Sequence, residues 1–66
     1  MKEVFFYTSK RGKHYKVTVD HERKIGFPSD QRKLYDGALT WMPCNATLEL
    51  EGAIKAKYGS DYRMYV

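Results

Sequence analysis

The most constraining stretch of the chain is His14-Tyr15-Lys16-Val17-Thr18-Val19-Asp20, where apolar and polar residues alternate without a break. A period of two marks a strand with one buried face, so Tyr15, Val17 and Val19 share one face and His14, Lys16, Thr18 and Asp20 the other. Upstream, Val4-Phe5-Phe6-Tyr7-Thr8 is rich in strand formers. Between the two lies Ser9-Lys10-Arg11-Gly12-Lys13, a short loop with the glycine that a tight hairpin needs. Together they predict a β-hairpin over residues 3–20.

Downstream the pattern changes character. Residues 21–30 carry Gly26, Pro28, Ser29 and Asp30 and read as a connection. Ser29 or Asp30 offers a side-chain oxygen to cap a helix. Leu34, Tyr35, Ala38, Leu39 and Met42 then recur at helical spacing up to Pro43, which predicts a helix within residues 30–42. Gly37 weakens it by about 1 kcal/mol relative to alanine, with a turn or short strand as the competitor. A second helix is expected after a cap at Asn45 or Thr47. Ala46, Leu50, Ala53, Ile54 and Tyr58 form its stripe, Gly59 ends it, and Glu49 and Glu51 precede Lys55 and Lys57 as the helix dipole prefers. Glu51 and Lys55 are also an i,i+4 pair. Finally Tyr62, Met64 and Val66 alternate with Asp61, Arg63 and Tyr65, which predicts a closing strand.

The expected fold is α+β, in the order β-β-(α)-α-β. It has an N-terminal antiparallel hairpin, one or two helices on one sheet face, and a C-terminal strand completing a three-stranded antiparallel sheet. The length of 66 residues predicts one domain over 1–66, too small for a two-lobed cleft or a dinucleotide-binding fold. Ten aromatics are many for so small a core. Tyr15, Tyr35, Tyr58 and one set from Phe5/Tyr7 or Phe6 are expected inside, leaving some of Tyr7, Trp41, Tyr62 and Tyr65 partly exposed.

The chemistry-bearing residues are sparse. One cysteine, Cys44, makes no internal disulfide. Paired with His14 or His21 it would be an isolated thiol nucleophile; beside Pro43 it reads better as a small hydrophobe. One Cys and two His fall short of a four-ligand zinc site, and five isolated glycines make no phosphate loop. No catalytic residue, metal, cofactor or small-molecule substrate is therefore expected. The apolar opening run Val4–Tyr7 is shorter than a signal sequence or membrane span, which predicts a soluble, cytoplasmic protein with no membrane partner. Asn45-Ala46-Thr47 then matches a glycosylation sequon by chance.

Charge and aromatics remain. Residues 10–33 hold eight Lys+Arg against three acids, a net +5, while the rest of the chain is −1. Lys10, Arg11 and Lys13 cluster at the expected hairpin tip, with Lys16, Arg23 and Lys24 nearby. Charged tips are also what solvation and protection against aggregation produce. With Trp41 and Tyr65 as exposed anchors, these residues form the expected partner-binding set. The leading expectation is a non-catalytic modulator that inhibits or recruits a larger, acidic-surfaced protein, the working mode of small inhibitors, adaptors and phage host-takeover proteins. The alternative is a DNA- or RNA-binding protein that uses the hairpin for phosphates and Tyr/Trp for stacking. The chain has no RNP-like motif, GXXG loop, zinc knuckle or basic recognition helix.

Overall fold

The computed structural model describes residues 2–65, and its elements follow from two hairpins of the same design. β1 (Lys2–Thr8) and β2 (His14–Asp20) pair antiparallel from Lys2↔Asp20 to Thr8↔His14. Their loop closes with Ser9 N–H donating to Lys13 O at 2.8 Å and Gly12 N–H to Ser9 O at 2.9 Å, with Gly12 at φ 85°. The second hairpin joins β3 (Ile25–Lys33) to β4 (Leu39–Pro43). Leu34 N–H donates to Ala38 O at 2.7 Å, Gly37 N–H to Leu34 O at 2.9 Å, and Gly37 has φ 89°. Lys10-Arg11-Gly12 and Tyr35-Asp36-Gly37 are thus the same three-residue turn, with glycine at the left-handed position.

This overturns the expected helix within residues 30–42. The helical spacing of Leu34, Tyr35, Ala38, Leu39 and Met42 is a coincidence of a strand end, a turn and a second strand. Tyr35, expected in the core, sits fully exposed at the turn. Nor is 21–30 a connection: only residues 21–24 turn, with Lys24 in the left-handed region at φ 58°. Ser29 and Asp30 lie within β3 and cap nothing. Among the described residues there is one helix, α1 (Leu48–Tyr58); of the two expected caps it uses Thr47, whose side chain accepts from Leu50 N–H at 3.1 Å, so Ala46, expected in its stripe, precedes it.

Strand order is β1-β2-β3-β4, with a short β5 (Arg63–Met64) also on β3. The closing strand does not join the hairpin as a third antiparallel member. It pairs parallel to β3, Ile25↔Arg63 and Gly26↔Met64, with Arg63 N–H on Lys24 O and Tyr65 N–H on Gly26 O. Val66, expected to end that strand, lies outside the described residues. The edge of β3 is therefore shared, its first residues pairing with β5 and its later ones with β4. Pro28 lies at the handover. It accepts from Cys44 N–H through its carbonyl and has no N–H needing a partner there. The result is α+β, a mainly antiparallel sheet with one short helix on one face. Among the described residues no helix is long and apolar enough to cross a membrane.

The core lies between α1 and the sheet. Val17, Val19, Leu50 and Ile54 are fully buried, each worth about 1.5–3 kcal/mol of transfer free energy, with Tyr15 and Met64 beside them. Phe5 and Tyr7 pack against this cluster while Phe6 points the other way. At one end His21 joins Glu3 (2.8 Å) and Tyr62 (2.7 Å), with the Tyr58 ring edge-on at 4.9 Å. Gly26 is where helix and sheet approach closest. A Cβ there would sit 2.6 Å from Ile54 Cδ1, 2.9 Å from Val17 Cγ1 and 3.0 Å from Met64 Sδ. Gly26→Ala is expected to destabilise the protein by about 1–3 kcal/mol. At Gly52, inside the helix, a Cβ meets nothing within 4 Å, so Gly52→Ala should stabilise by up to about 1 kcal/mol. Urea unfolding of both variants checks the pair, and equal effects at the two glycines would refute the close-approach argument.

Candidate nucleic-acid interface

Register decides which side chains share each face. With Tyr15, Val17 and Val19 under the helix, the opposite face carries four rows across the strands. They are Lys2–Asp20–Ile25–Arg63, Val4–Thr18–Phe27–Tyr65, Phe6–Lys16–Ser29–Pro43 and Thr8–His14–Gln31–Trp41, with Lys33 and Leu39 beyond. The helix lies on the other side, and Lys16, Thr18, Phe27, Ser29, Gln31 and Trp41 on this face are half-buried. Phe6 is 67% exposed, Tyr65 59% and Val4 46%.

Two aromatic pairs stand on it. The Phe6 and Trp41 rings are 5.8 Å apart and tilted at 46°, bordering a shallow hollow of about 260 Å³ shared with Thr8, His14 and Gln31. The Phe27 and Tyr65 rings are 5.2 Å apart at 35°. Lys16 lies in the same row as Phe6, next to the row of Phe27 and Tyr65, with Lys2 and Arg63 at one end and Lys33 at the other. The acid within these rows is Asp20, at the sheet's end. Its carboxylate is engaged by the next turn, accepting from Glu22 N–H at 3.1 Å and Arg23 N–H at 3.4 Å.

The helix side holds the paired charges. Asp30 is 2% exposed and is met by Arg32 Nε at 2.8 Å and Lys13 Nζ at 3.2 Å. Glu49, in the first turn of α1, accepts from Tyr7 O–H at 2.6 Å and Lys10 N–H at 3.0 Å. Glu49 ties the first hairpin loop to the first turn of α1, and Asp30 ties Lys13 at its end to β3. The Tyr7 hydroxyl, helped by the Lys10 amide, holds the Glu49 carboxyl below its ordinary range. Lys24 pairs with Asp61, and Lys55 donates to the carbonyls of Ser60 (3.0 Å) and Tyr62 (2.7 Å).

The expected binding residues therefore separate. Lys16, Trp41 and Tyr65 come together on the open face. Lys13 and Lys24 are engaged by acids on the helix side, Lys10 and Arg11 stand in the docked loop, and Arg23 lies at the opposite end beside Asp20, 3.9 Å away. Phe6, Phe27, Lys2, Lys33 and Arg63 join the face without having been expected there; their signal is alternation, once strand register is known. Cys44 is half-buried, and burial pushes its thiol pKa up. Among the described residues no three His, Cys, Asp or Glu side chains converge as metal ligands. No family model, curated protein or solved structure matches the chain.

Asp30 makes the charge division testable. Its carboxyl is held below the ordinary range by the hydrogen bond from Arg32 and then that from Lys13, against the opposing effect of burial. Because the folded value lies below the unfolded one, ionised Asp30 stabilises the fold above about pH 4. That contribution is lost as pH falls through the lowered folded value. Asp30→Asn should cost about 1–3 kcal/mol at pH 7 and soften the acid limb of the stability curve. Urea unfolding as a function of pH measures both; a variant as stable as the parent at pH 7 contradicts the assignment.

Proposed function

We propose that the protein binds single-stranded nucleic acid across the open face of its sheet. The observation that carries this reading is the segregation of groups between the two faces. Aromatic pairs and the cations Lys2, Lys16, Lys33 and Arg63 lie on one with a single acid, Asp20, at its end, while Asp30, Glu49 and Glu3 lie on the other, where Asp30 is paired with Lys13 and Arg32. Unpaired bases stack on exposed rings, and phosphates follow cations along a groove or face. From the Lys2 row to the Lys33 row, eight strand steps cover about 27 Å, room for roughly four nucleotides. Thr8, His14 and Gln31 bring hydrogen-bonding groups to the hollow beside Phe6 and Trp41, where a stacked base would present its edge.

A single strand is favoured over a duplex because stacking on these rings needs free base faces. The basic loop that would enter a duplex groove is held to α1 by Glu49, through the Lys10 amide, and to β3 by Asp30, through Lys13. The same anchoring weighs against docking on an acidic protein through a projecting basic finger. Such a partner would have to use the open face, where rings, hydroxyls and amides are interleaved with the cations.

Trp41 is the only tryptophan and so reports directly. Titration with a short oligothymidine at low salt should quench its fluorescence. The log affinity should fall with log salt at a slope of about −3 if the four open-face cations each neutralise one phosphate. Phe6→Ala should weaken binding by about 1–3 kcal/mol and Lys16→Ala should reduce the slope by about 0.7, whereas Lys24→Ala should leave both unchanged. If the oligonucleotide does not bind and poly-glutamate quenches Trp41 instead, the face serves an acidic protein and the reading fails.

A further inference from the structure

We infer that β1 pairs antiparallel with β1 of a second copy of this chain, joining two sheets into one. The inference stands apart from the nucleic-acid reading and rests on the backbone of the sheet edge. Ser9 N–H donates to Lys13 O, so these facing residues form a hydrogen-bonded pair of the first hairpin. Antiparallel ladders alternate, so Tyr7↔Tyr15, Phe5↔Val17 and Glu3↔Val19 are also bonded pairs. The N–H and C=O groups of Lys2, Val4, Phe6 and Thr8 consequently point away from β2. The order β1-β2-β3-β4 leaves that side open.

An edge of seven residues, with no proline, no bulge and the apolar run Val4–Tyr7, lacks most of the devices that stop edges from pairing. The opposite edge has them, since β4 is five residues long and ends in Pro43. One register satisfies all the outward groups of two β1 strands. With the dyad at Phe5, Lys2 faces Thr8 of the second copy and Val4 faces its Phe6, giving about eight backbone hydrogen bonds. No like charges stand directly opposite. A shift toward Phe6 would set Lys2 against Lys10, and a shift toward Val4 would leave Thr8 unpaired.

The chosen register is also compatible in charge around the dyad. Lys57 lies over the Phe5 ring, 5.7 Å from its centroid, and Glu3 is near enough to feel it. Each copy therefore brings one cation and one anion to the helix side of the junction. On the other side Val4 and Phe6, both well exposed in the single chain, cover one another. The two open faces become continuous, which lengthens the aromatic and cationic surface without any new side chain.

Sedimentation velocity over a roughly hundredfold range of protein concentration, without nucleic acid, should show a monomer–dimer equilibrium that tightens with salt as the net charge of +4 is screened. Binding to an oligonucleotide weakens with salt, so the two proposals fail separately. Amide exchange by NMR locates the contact. The Val4, Phe6 and Thr8 amides should gain protection as concentration rises, while those of Phe5 and Tyr7 are protected throughout. Val4→Pro removes an outward N–H without touching the β1–β2 ladder and should weaken the dimer at least tenfold; Val4→Lys, which keeps the N–H and adds charge at the dyad, should also weaken it. A monomer at every concentration overturns the inference. So does a dimer whose Val4 and Phe6 amides exchange freely, or protection that appears only with oligonucleotide. Should either variant fail to fold, the exchange pattern of the parent protein decides.

Discussion

The contact on which the rest depends is the seating of Ile54 and Met64 over Gly26. A side chain at Gly26 would collide with both and with Val17. Its absence lets α1 rest directly on β3, and lets β5 lie in the sheet plane beside the strand it pairs with. That placement brings Leu50 and Ile54 onto Val17 and Val19, the only fully buried large side chains of the described chain. In a domain this small the core has few members, so losing one contact removes a large share of the total.

The position of the helix also determines the charge distribution. Once α1 covers one face, its first turn brings Glu49 to Tyr7 and the Lys10 amide, and the loop tip is drawn in. Asp30, facing the same side, draws Lys13 and Arg32 to itself. Glu3 engages His21 and Asp61 engages Lys24. These acids are spent holding the helix side together. The cations on the other face have no comparable set of acids, so the net positive charge becomes a property of one surface.

How much of this was legible in the sequence depended on whether the cause was local. The hairpin over residues 3–20 and the helix after Thr47 carry their own periodicity, turn glycine and cap, and the structure has both. β3 does not advertise itself. Gly26, Pro28, Ser29 and Asp30 each favour a loop, and three of them are held in a strand by groups elsewhere in the chain: Ile54 and Met64 over Gly26, the handover between β5 and β4 at Pro28, and Lys13 on Asp30. The second turn did have a local signature, because Tyr35-Asp36-Gly37 repeats the spacing of Lys10-Arg11-Gly12. Helical spacing among its neighbours competed with that signature. For the candidate interface, Lys16, Trp41 and Tyr65 stood out as an exposed cation and exposed rings. Separating Phe6 from Phe5 required the register, and Phe27 lay in a segment that reads locally as a connection.

The single eleven-residue helix of the described residues can cover only one side of the five-stranded sheet. The uncovered side must then be made compatible with water or given a partner. Here it is only half adapted to water. Thr18, Ser29, Gln31 and the lysines are interleaved with Phe6, Phe27, Trp41 and Tyr65, rather than replacing them. The rings pack in pairs, with Phe27 and Trp41 half-buried, but they stand outside the buried cluster, and Phe6 and Tyr65 keep most of their area in water. The area they still expose is buried when something flat or apolar covers them, and the surrounding cations favour something anionic. Stacked bases joined by phosphates meet both conditions at once, so the face left bare by a short helix is the one on which function is best sought.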